Sequence, residues 1–434
     1  MPFSAQIYRE RRRRLAEKTR EGIAIIPTAS EQIRSRDSDF PFRPDSYFYY
    51  LTGFAEPEAV LVIIAGEHER SILFCLKRDI KEEQWFGHRL GLEGAKKVSG
   101  VDEVYPISSL DKEMPWLLMD QRVVYLPGET SEWVERIKNW FVDIQIAMGK
   151  FRLHDQGDYR NAYDLLDEMR LIKQPEEISL LRQAAQISAY ALNTAMRACS
   201  PGVAEYELEA VLAHKFRREN SVYAFQPIVA GGKNACILHY IENNCLLKNG
   251  DLVLMDIGCE LDCYASDISR TFPINGKFSR EQKIIYKIVL AAQEAAIKRV
   301  KPGNNFFDLH RMAVRIITAG LIKHGLLTGE LERLIKDKAY MRFFMHSLGH
   351  CVGLDTHDSG SKEIRDGQQV LRPGMVLTVE PGIYIQPDDS TVDPKWRGIG
   401  IRIEDTVLVT ESGCEILTAA APKKIKDIEF LMRQ

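Results

Sequence analysis

The sequence of 434 residues has no long apolar run, few cysteines and almost no net charge. No apolar stretch approaches the roughly 20 residues that a membrane-spanning helix needs. The basic first 22 residues lack the apolar segment of a secretory signal peptide. Eight cysteines without dense spacing predict free thiols in a reducing cytoplasm rather than a disulfide scaffold. The net charge of -3 gives no reason to expect a nucleic acid or a membrane as partner.

One dense cluster of charge is present, the run of four arginines from Arg11 to Arg14. Acidic residues flank the run, while Tyr8 and Leu15 are spaced to form an apolar stripe on a helix. A single short basic run is a weak signal for nucleic-acid binding. We therefore expect an N-terminal helix whose arginines form a solvated face.

The first 170 residues or so alternate short strand-like runs, such as GIAIIP, AVLVIIA and SILFCL, with helical stretches. This alternation predicts an α/β domain. A long helix follows, with Pro175 at its start, acidic residues in its first turn and Gly202 past its end. We therefore predict an α/β N-terminal domain over residues 1–172 and a second domain over residues 173–434.

The second domain contains a degenerate internal repeat. Two pairs of segments match in the same order: PGVAEYEL (201–208) with PGNNFFDL (302–309), and GDLVLMDIG (250–258) with GMVLTVEPG (374–382). Proline and glycine as simple helix punctuation would explain the first match but not the second. We infer a duplicated helix-helix-strand unit with pseudo-two-fold symmetry, in which Asp256 and Glu380 occupy the same position.

The stretch MDIGCELDCYASDISRTF, which begins at Met255, contains two pairs of residues that could bind a metal ion. Asp256 and Asp267 are carboxylates, whereas Cys259 and Cys263 have the spacing of a weak thiolate motif. Which pair converges depends on how the stretch pairs with itself as a β-hairpin.

We predict a hairpin with Leu261 and Asp262 at its tip, so that Asp256 directly faces Asp267. Opposed side chains lie about 5 Å apart on one face of a sheet. Two carboxylates this close repel each other unless one is protonated or a cation lies between them. The same register points Cys259 to the opposite face, so the two thiols do not converge.

The second repeat contributes two further acids. Glu380 ends a strand in VLTVEPGIYI, where the following proline keeps its backbone extended. Glu404 lies in GIGIRIEDTVLV, which we predict as one strand on which Arg402 and Glu404 share a face. Apolar neighbours on both sides make an uncompensated carboxylate at Glu404 costly. Four carboxylates carry a charge that two divalent cations would neutralise, and such oxygen-rich ligation favours hard ions.

Four histidines lie in suggestive places. His239 is in ILHYIENN, and His346, His350 and His357 follow one another in FFMHSLGHCVGLDTHD. A single histidine is more often structural, but three close together in an apolar, glycine-punctuated segment indicate a site. A histidine ligand would shift the metal preference toward manganese, cobalt or zinc.

Together these segments resemble the proline-specific metallopeptidases of the pita-bread fold, and among them the bacterial cytoplasmic aminopeptidase P (Xaa-Pro aminopeptidase) group. The likeness covers the second domain nearly end to end and extends into the first through DSDFPFRPDSYFYYLTGFAEPEAVLVI and EQWFGHRLG. It implies a creatinase-like α/β N-terminal domain that builds oligomer contacts and narrows access to the site. It further implies an α+β pita-bread catalytic domain.

The resemblance also implies the roles of individual residues. Five positions match the family's ligands for two divalent metal ions, manganese in this family: Asp256, Asp267, His350, Glu380 and Glu404. Asp267 and Glu404 would bridge both ions. His357 and His239 match residues that contact the scissile carbonyl group. Further pocket and substrate positions match His346, Tyr384, Arg402 and Asp37.

The implied reaction is hydrolysis of the bond between an N-terminal residue and a following proline, by a water or hydroxide that bridges the two ions. Glu380 would pass a proton to the departing proline nitrogen. The expected substrates are peptides with proline in the second position, and the expected assembly is a homo-oligomer, a tetramer or a dimer.

Three alternatives remain on the sequence alone. Prolidase, the dipeptidase of this fold, has the same five ligands, so only the first-domain segment EQWFGHRLG favours the aminopeptidase. Methionine aminopeptidase does not need the large first domain. A non-catalytic peptide-binding relative would be expected to have lost metal ligands, whereas here all five positions are filled.

Overall fold

The structure is a computed structural model that describes residues 3–119, 121–126, 128, 131–147, 158–367 and 369–434. The chain forms two compact units, Met1–Met169 and Arg170–Gln434. Within the described residues, no helix combines the length and apolar character needed to cross a membrane.

The N-terminal unit alternates strands and helices along the chain. Its helices are α1 (Ala5–Thr19), α2 (Ser46–Thr52), α3 (Ile80–Phe86), α4 (Gly91–Ser99), α5 (Leu110–Leu118), α6 (Ser131–Ala147) and α7 (Tyr163–Leu171), which runs past the division. Its strands are β1 (Ile23–Pro27), β2 (Ile33–Ser35), β3 (Ser38–Asp39), β4 (Val60–Ile64), β5 (Arg70–Cys75), β6 (Glu103–Pro106), β7 (Val123–Leu126) and β8 (Asp158–Asn161).

Six of these strands form one mixed sheet in the order β6-β5-β4-β1-β7-β8. Strand β1 runs antiparallel to β4 and parallel to β7. Strands β1, β4, β5 and β7 are mostly buried and apolar, whereas β6 and β8 are more exposed and carry polar residues. The core of the sheet includes Met114 of α5 and Trp140 of α6. This is the α/β architecture that the alternation of strand-like and helical runs predicts.

Helix α1 is the predicted N-terminal helix, and Tyr8 and Leu15 are buried as its apolar stripe. The prediction that the arginines of the run form a solvated face is wrong for two of them. Arg11 is buried, donates to the carbonyl oxygen of Tyr50 at 3.0 Å and stacks on that ring. Arg12 is buried too and donates to three backbone carbonyls at the ends of α2 and α4, and burial lowers its pKa to about 10. Helix ends leave carbonyl groups unpaired, and a guanidinium satisfies several at once.

The C-terminal unit begins with a long helix pair and alternates helices with short strands. Its helices are α8 (Pro175–Ala198), α9 (Glu205–Arg218), α10 (Arg280–Ile297), α11 (Phe306–Lys323), α12 (Leu331–Lys336), α13 (Ser361–Arg365) and α14 (Ile425–Leu431). Its strands are β9 (Val222–Tyr223), β10 (Ile228–Gly231), β11 (Leu252–Ile257), β12 (Cys259–Leu261), β13 (Tyr264–Ala265), β14 (Ile268–Pro273), β15 (Val376–Val379), β16 (Gly382–Tyr384), β17 (Gly400–Arg402), β18 (Asp405–Val409) and β19 (Cys414–Ile416).

The backbone bears out the internal repeat. Helix α8 packs on α9 and α10 packs on α11, each pair joined through a Pro-Gly turn. Gly202 and Gly303 have φ of 92° and 84°. Their N–H groups donate to the carbonyl oxygens of Leu247 and Leu371, at 2.8 and 2.9 Å. The two halves therefore repeat the same hydrogen bond at matched positions.

The hairpin that contains Asp256 forms, but its predicted register is wrong by two residues. Asp256 pairs with Ser269, not with Asp267. Because side chains alternate between faces and the slip is an even number, Asp267 stays on the face predicted for it.

The slip originates at the tip of the hairpin. Leu261 pairs with Tyr264, so the tip is Asp262 and Cys263, with φ of 47° and 66°. A two-residue tip of this type needs positive φ at both positions, and aspartate tolerates that conformation far better than leucine. A leucine at the tip is therefore the weak point of the predicted register.

The segment predicted as one strand around Glu404 is two strands, β17 and β18. Strand β17 pairs with β16, while β18 pairs with β15. The register is the same on both sides of the break, which places Glu380 opposite Glu404. Both glutamates lie outside the ladders, at the point where the paired chains pass from one sheet to the other. Their side chains are thereby free to enter the cavity next to them.

Candidate metal centre and active site

A cavity of about 780 Å³ in the C-terminal unit collects most of the predicted site residues. Part of its wall is apolar, from Phe225, Ile228, Leu238 and Ile241. The predicted residues that line it are His239, Asp256, Asp267, His346, His350, His357, Glu380, Arg402 and Glu404.

Three of these residues form a compact group of potential metal ligands. One ligand atom from each of Asp267, His350 and Glu404 lies within 4.8 Å of the others. Nε2 of His350 is 3.4 Å from Oδ2 of Asp267 and 3.6 Å from Oε1 of Glu380. Nδ1 of His350 contacts the carbonyl oxygen of Cys351 at 3.0 Å. Because a carbonyl only accepts, Nδ1 carries the proton, and Nε2 offers its lone pair to the carboxylate cluster.

The carboxylates in this cluster are held at high electrostatic cost. Burial raises the pKa of Asp267 and of Glu404 well above their ordinary values, and the neighbouring carboxylates raise both further. Burial also raises the pKa of Glu380. Oδ1 of Asp256 and Oδ1 of Asp267 are buried without a hydrogen-bond partner among the described residues. Divalent cations fit this cluster for three reasons. They would pair with the buried carboxylate oxygens that lack a hydrogen bond, offset the repulsion between the carboxylates, and accept the lone pair of the histidine.

A chain of hydrogen bonds supports the cluster from one side. Nη2 of Arg402 donates to Oδ2 of Asp256 at 2.7 Å, and Nη1 donates to the hydroxyl of Tyr384 at 2.9 Å. That hydroxyl lies 2.9 Å from Nε2 of His346, whose Nδ1 contacts the carbonyl oxygen of Ser347. His346 is therefore protonated on Nδ1 and accepts from Tyr384.

In this chain of hydrogen bonds Tyr384 is fully buried and His346 is half-buried. Burial lowers the pKa of His346 to about 3, with Arg402 adding to the effect. Burial raises the pKa of Tyr384 to about 12. The chain of hydrogen bonds thus consists of a neutral imidazole, a neutral phenol and a guanidinium. The guanidinium carries its only charge, which is directed at Asp256.

Ser269 is a site residue that sequence reasoning missed. Its hydroxyl accepts from Nε of Arg402 at 2.9 Å and donates to Oε2 of Glu404 at 3.0 Å. It therefore links the two halves of the repeat. The signal was available in the hairpin, because the correct tip places Ser269 opposite Asp256.

Two further histidines approach the cluster from other segments. The rings of His357 and His350 have centroids 4.1 Å apart. His239 is an exposed residue of the cavity wall, in a segment between β10 and β11. Both side chains face the space in which a ligand of the cluster would lie.

The remaining predicted residues lie elsewhere. Asp37 is in the N-terminal unit, in the exposed turn between β2 and β3, and its place beside Arg402 stays a prediction. Cys259 is buried against α8, where its thiol contacts the carbonyl oxygen of Ala184 at 3.3 Å, and burial raises its pKa. The group of potential metal ligands found among the described residues includes no cysteine.

Comparison with known proteins agrees with this geometry. Residues 179–411 match the metallopeptidase family M24, and residues 8–125 match the aminopeptidase P N-terminal domain. These matches confirm the resemblance and the predicted combination of an α/β first domain with a pita-bread second domain.

The similarity to individual proteins extends over whole chains. The sequence is 44% identical to the Xaa-Pro aminopeptidase of Escherichia coli, over 99% of this chain and 98% of that protein. It is also 44% identical to the Xaa-Pro aminopeptidase of Haemophilus influenzae, over 98% and 96%. A solved aminopeptidase of Pseudomonas aeruginosa is similar with a TM-score of 0.95 and 45% identity, over 99% and 98% of the two chains. The chain therefore belongs to metallopeptidase family M24 and carries the N-terminal domain of aminopeptidase P.

Proposed function

We propose that this protein hydrolyses the peptide bond between an N-terminal residue and a following proline, as a proline-specific metallo-aminopeptidase. The observation that carries the proposal is the convergence of Asp267, His350 and Glu404, with Glu380 adjacent, in one cavity of the catalytic unit. The full-length similarity to Xaa-Pro aminopeptidases supports the choice of substrate.

The proposed cofactor is a pair of divalent ions, with manganese as the metal. Four carboxylates and one histidine would hold them, and the charge of four carboxylates matches two such ions. When bound, the ions supply Lewis-acid chemistry and make water a nucleophile near neutral pH. The proposed ligands are Asp256, Asp267, His350, Glu380 and Glu404.

Glu380 is the proposed proton carrier. Its carboxylate lies in the cavity, 3.6 Å from His350, at the break between two strands. From there it accepts a proton from the attacking water and donates it to the proline nitrogen, because an amide nitrogen must be protonated before it leaves as an amine.

His357 and His239 are the proposed donors to the scissile carbonyl oxygen. Hydrogen bonds directed at that oxygen stabilise the negative charge that develops as the water adds. Arg402, supported by Tyr384 and His346 behind it, holds Asp256 in place. The apolar wall at Phe225 offers a surface that suits the proline ring.

The first domain has a separate proposed role. It builds the contacts of a homo-oligomer, a tetramer or a dimer, and narrows access to the site, and Asp37 is its proposed substrate-binding residue. A cytoplasmic location is proposed as well, supported by cysteines that form no disulfide among the described residues.

The test is manganese-dependent release of arginine from the tripeptide Arg-Pro-Pro. We expect cleavage of this peptide and none of Arg-Ala-Pro, which lacks proline in the second position. Cleavage of the dipeptide Arg-Pro but not of the tripeptide would instead identify a prolidase. No cleavage of any of the three peptides with manganese present would refute the proposal.

A further inference from the structure

The segment that carries His239 has no regular secondary structure of its own. Residues 237–245, between a short 3-10 helix (Gly232–Cys236) and β11, form neither helix nor strand. His239 is exposed at the cavity, while the next residue, Tyr240, is buried. A histidine that donates a hydrogen bond to a scissile carbonyl oxygen needs a defined position. In residues 237–245 no ladder of backbone hydrogen bonds fixes that position.

Glu205, the first residue of α9, supplies the missing constraint. Its side chain is fully buried, and each carboxylate oxygen accepts two hydrogen bonds. The donors are the N–H of Gly231 at 2.7 Å, the amide of Asn234 at 3.0 Å, the hydroxyl of Tyr240 at 2.8 Å and the N–H of Cys245 at 2.9 Å. These donors lie before, next to and after His239 in the chain.

The internal repeat shows that the carboxylate is not required by the helix-turn unit itself. In PGVAEYEL and PGNNFFDL, Glu205 and Phe306 occupy the same position. Phe306 is also buried, so an apolar side chain meets the packing demand in the second half. The hydrogen-bond donors to Glu205 among the described residues include no basic side chain. A carboxylate buried in this way is costly, and its four donors, which lie between Gly231 and Cys245, account for its presence.

A second group of bonds secures the same segment further along. Asn243 accepts from the N–H of Val229 at 3.0 Å and donates to the carbonyl oxygen of Pro227 at 2.9 Å. It also donates to the carboxylate of Glu209, one turn after Glu205 on α9, at 2.8 Å. Two acids on one face of α9 therefore hold the backbone on the C-terminal side of His239.

We propose that Glu205 is a positioning residue, which fixes Tyr240 and thereby aims His239 at the scissile carbonyl group. The inference rests on the proposed role of His239 in the aminopeptidase reaction. It predicts that a change at Glu205 acts through His239 and not through the metal cluster.

A double-mutant cycle tests this coupling on the manganese-loaded enzyme. Glu205→Gln keeps the size of the side chain but turns an NH2 donor toward the N–H of Gly231 or of Cys245. As a result, kcat should fall about a hundredfold with little change in KM. In a His239→Ala background the same change should alter kcat by no more than about twofold. Equal losses in both backgrounds would overturn the proposal.

Tyr240→Phe is a milder variant that keeps the test open if Glu205→Gln folds poorly. It removes one of the four bonds and should lower kcat about tenfold, again only when His239 is present. Tyr286→Phe is the matched control, because its buried hydroxyl donates to the carbonyl oxygen of Lys423 at 2.8 Å. The control should keep kcat within about twofold, since the lost bond lies outside the segment. Equal losses in Tyr240→Phe and Tyr286→Phe would contradict the proposal.

Hydrogen exchange of the metal-free protein provides a measurement that does not depend on activity. In Glu205→Gln, amides of residues 237–245 should exchange faster, while those of α10 keep their wild-type rates. Unchanged exchange in residues 237–245 would overturn the proposal that Glu205 fixes this segment, even if the enzyme is active. If wild-type protein fails to cleave Arg-Pro-Pro, the proposed function fails, and the exchange result still decides whether Glu205 fixes the segment.

Discussion

Arg402 and Asp256 form a largely buried ion pair across the internal repeat, with Nη2 of the arginine 2.7 Å from Oδ2 of the aspartate. The same guanidinium donates to Tyr384 and to Ser269. One oxygen of Asp256 is thereby paired, and the other is buried without a hydrogen-bond partner among the described residues. The arginine therefore orients the carboxylate while leaving one oxygen for a cation.

We predict that Arg402→Met destabilises the metal-free protein and weakens metal binding. Removing one partner of a buried ion pair costs about 3–5 kcal/mol, because the other charge remains uncompensated. Loss of a side chain that orients a ligand lowers metal affinity about 10–100-fold. Urea unfolding and manganese titration measure the two effects. Manganese affinity equal to that of wild type in Arg402→Met would show that Asp256 needs no orientation. Arg402→Lys keeps the charge, so its stability and manganese affinity should lie between those of wild type and Arg402→Met.

We predict opposite effects of Asp267→Asn on the metal-free and the metal-loaded protein. Burial and neighbouring carboxylates penalise the charge of Asp267, so the neutral amide should raise the melting temperature in EDTA. With manganese the variant should melt below wild type, because a ligand is lost. Asp308→Asn, at an exposed site, is the control. A lower melting temperature than wild type in EDTA would contradict the electrostatic account of the cluster.

We predict that the metal-free protein loses stability as the pH rises above about 4, the ordinary pKa of a carboxyl group, toward pH 8. The folded state raises the pKa of Asp267, Glu380 and Glu404, so it binds protons more tightly than the unfolded chain. Their contribution is complete below the unfolded pKa of about 4 and is lost as the pH rises through the folded values. Asp405, whose pKa is held low by Arg270 and Lys423, loses its contribution only at lower pH, outside this window.

The measurement is urea unfolding across that pH range, in EDTA and in manganese. Manganese should remove the loss at high pH, because cations then take the place of protons between the carboxylates. Stability in EDTA that rises steadily toward pH 8 would count against a cluster of strained carboxylates.

We predict that replacing Cys259 and Cys263 together by serine leaves manganese stoichiometry unchanged. The first thiol is buried against α8 and the second lies in the hairpin tip, and neither belongs to the ligand group. Metal content by mass spectrometry of the dialysed protein checks this. Loss of one manganese ion per chain would restore the thiolate motif as a metal site.

Several features could be read from local sequence because their physical cause is local. Pro-Gly turns and strand-ending acids repeat at matched positions, so the duplication and the four carboxylates are visible in the chain itself. The face of the hairpin on which Asp267 lies was also predicted correctly, although the predicted register was wrong by two residues. An even slip leaves each side chain on the same face.

The predicted solvated arginine run failed for a different kind of reason. Arg11 and Arg12 are buried because carbonyl groups at the ends of two other helices lie within their reach. No pattern in the run itself indicates those partners. Glu205 was missed likewise, because its role derives from donors further along the chain, between Gly231 and Cys245.

The sequence by itself determined the family, the repeat and the identity of the acids and histidines that could bind metal. Periodicity, turn residues and residue chemistry are properties of short segments, and they persist whatever the chain does elsewhere. The tertiary structure alone decided which oxygen of Asp256 is paired with Arg402 and which buried acid holds the segment of His239. Hydrogen bonds form only over about 3 Å, so their partners are chosen by how distant segments pack.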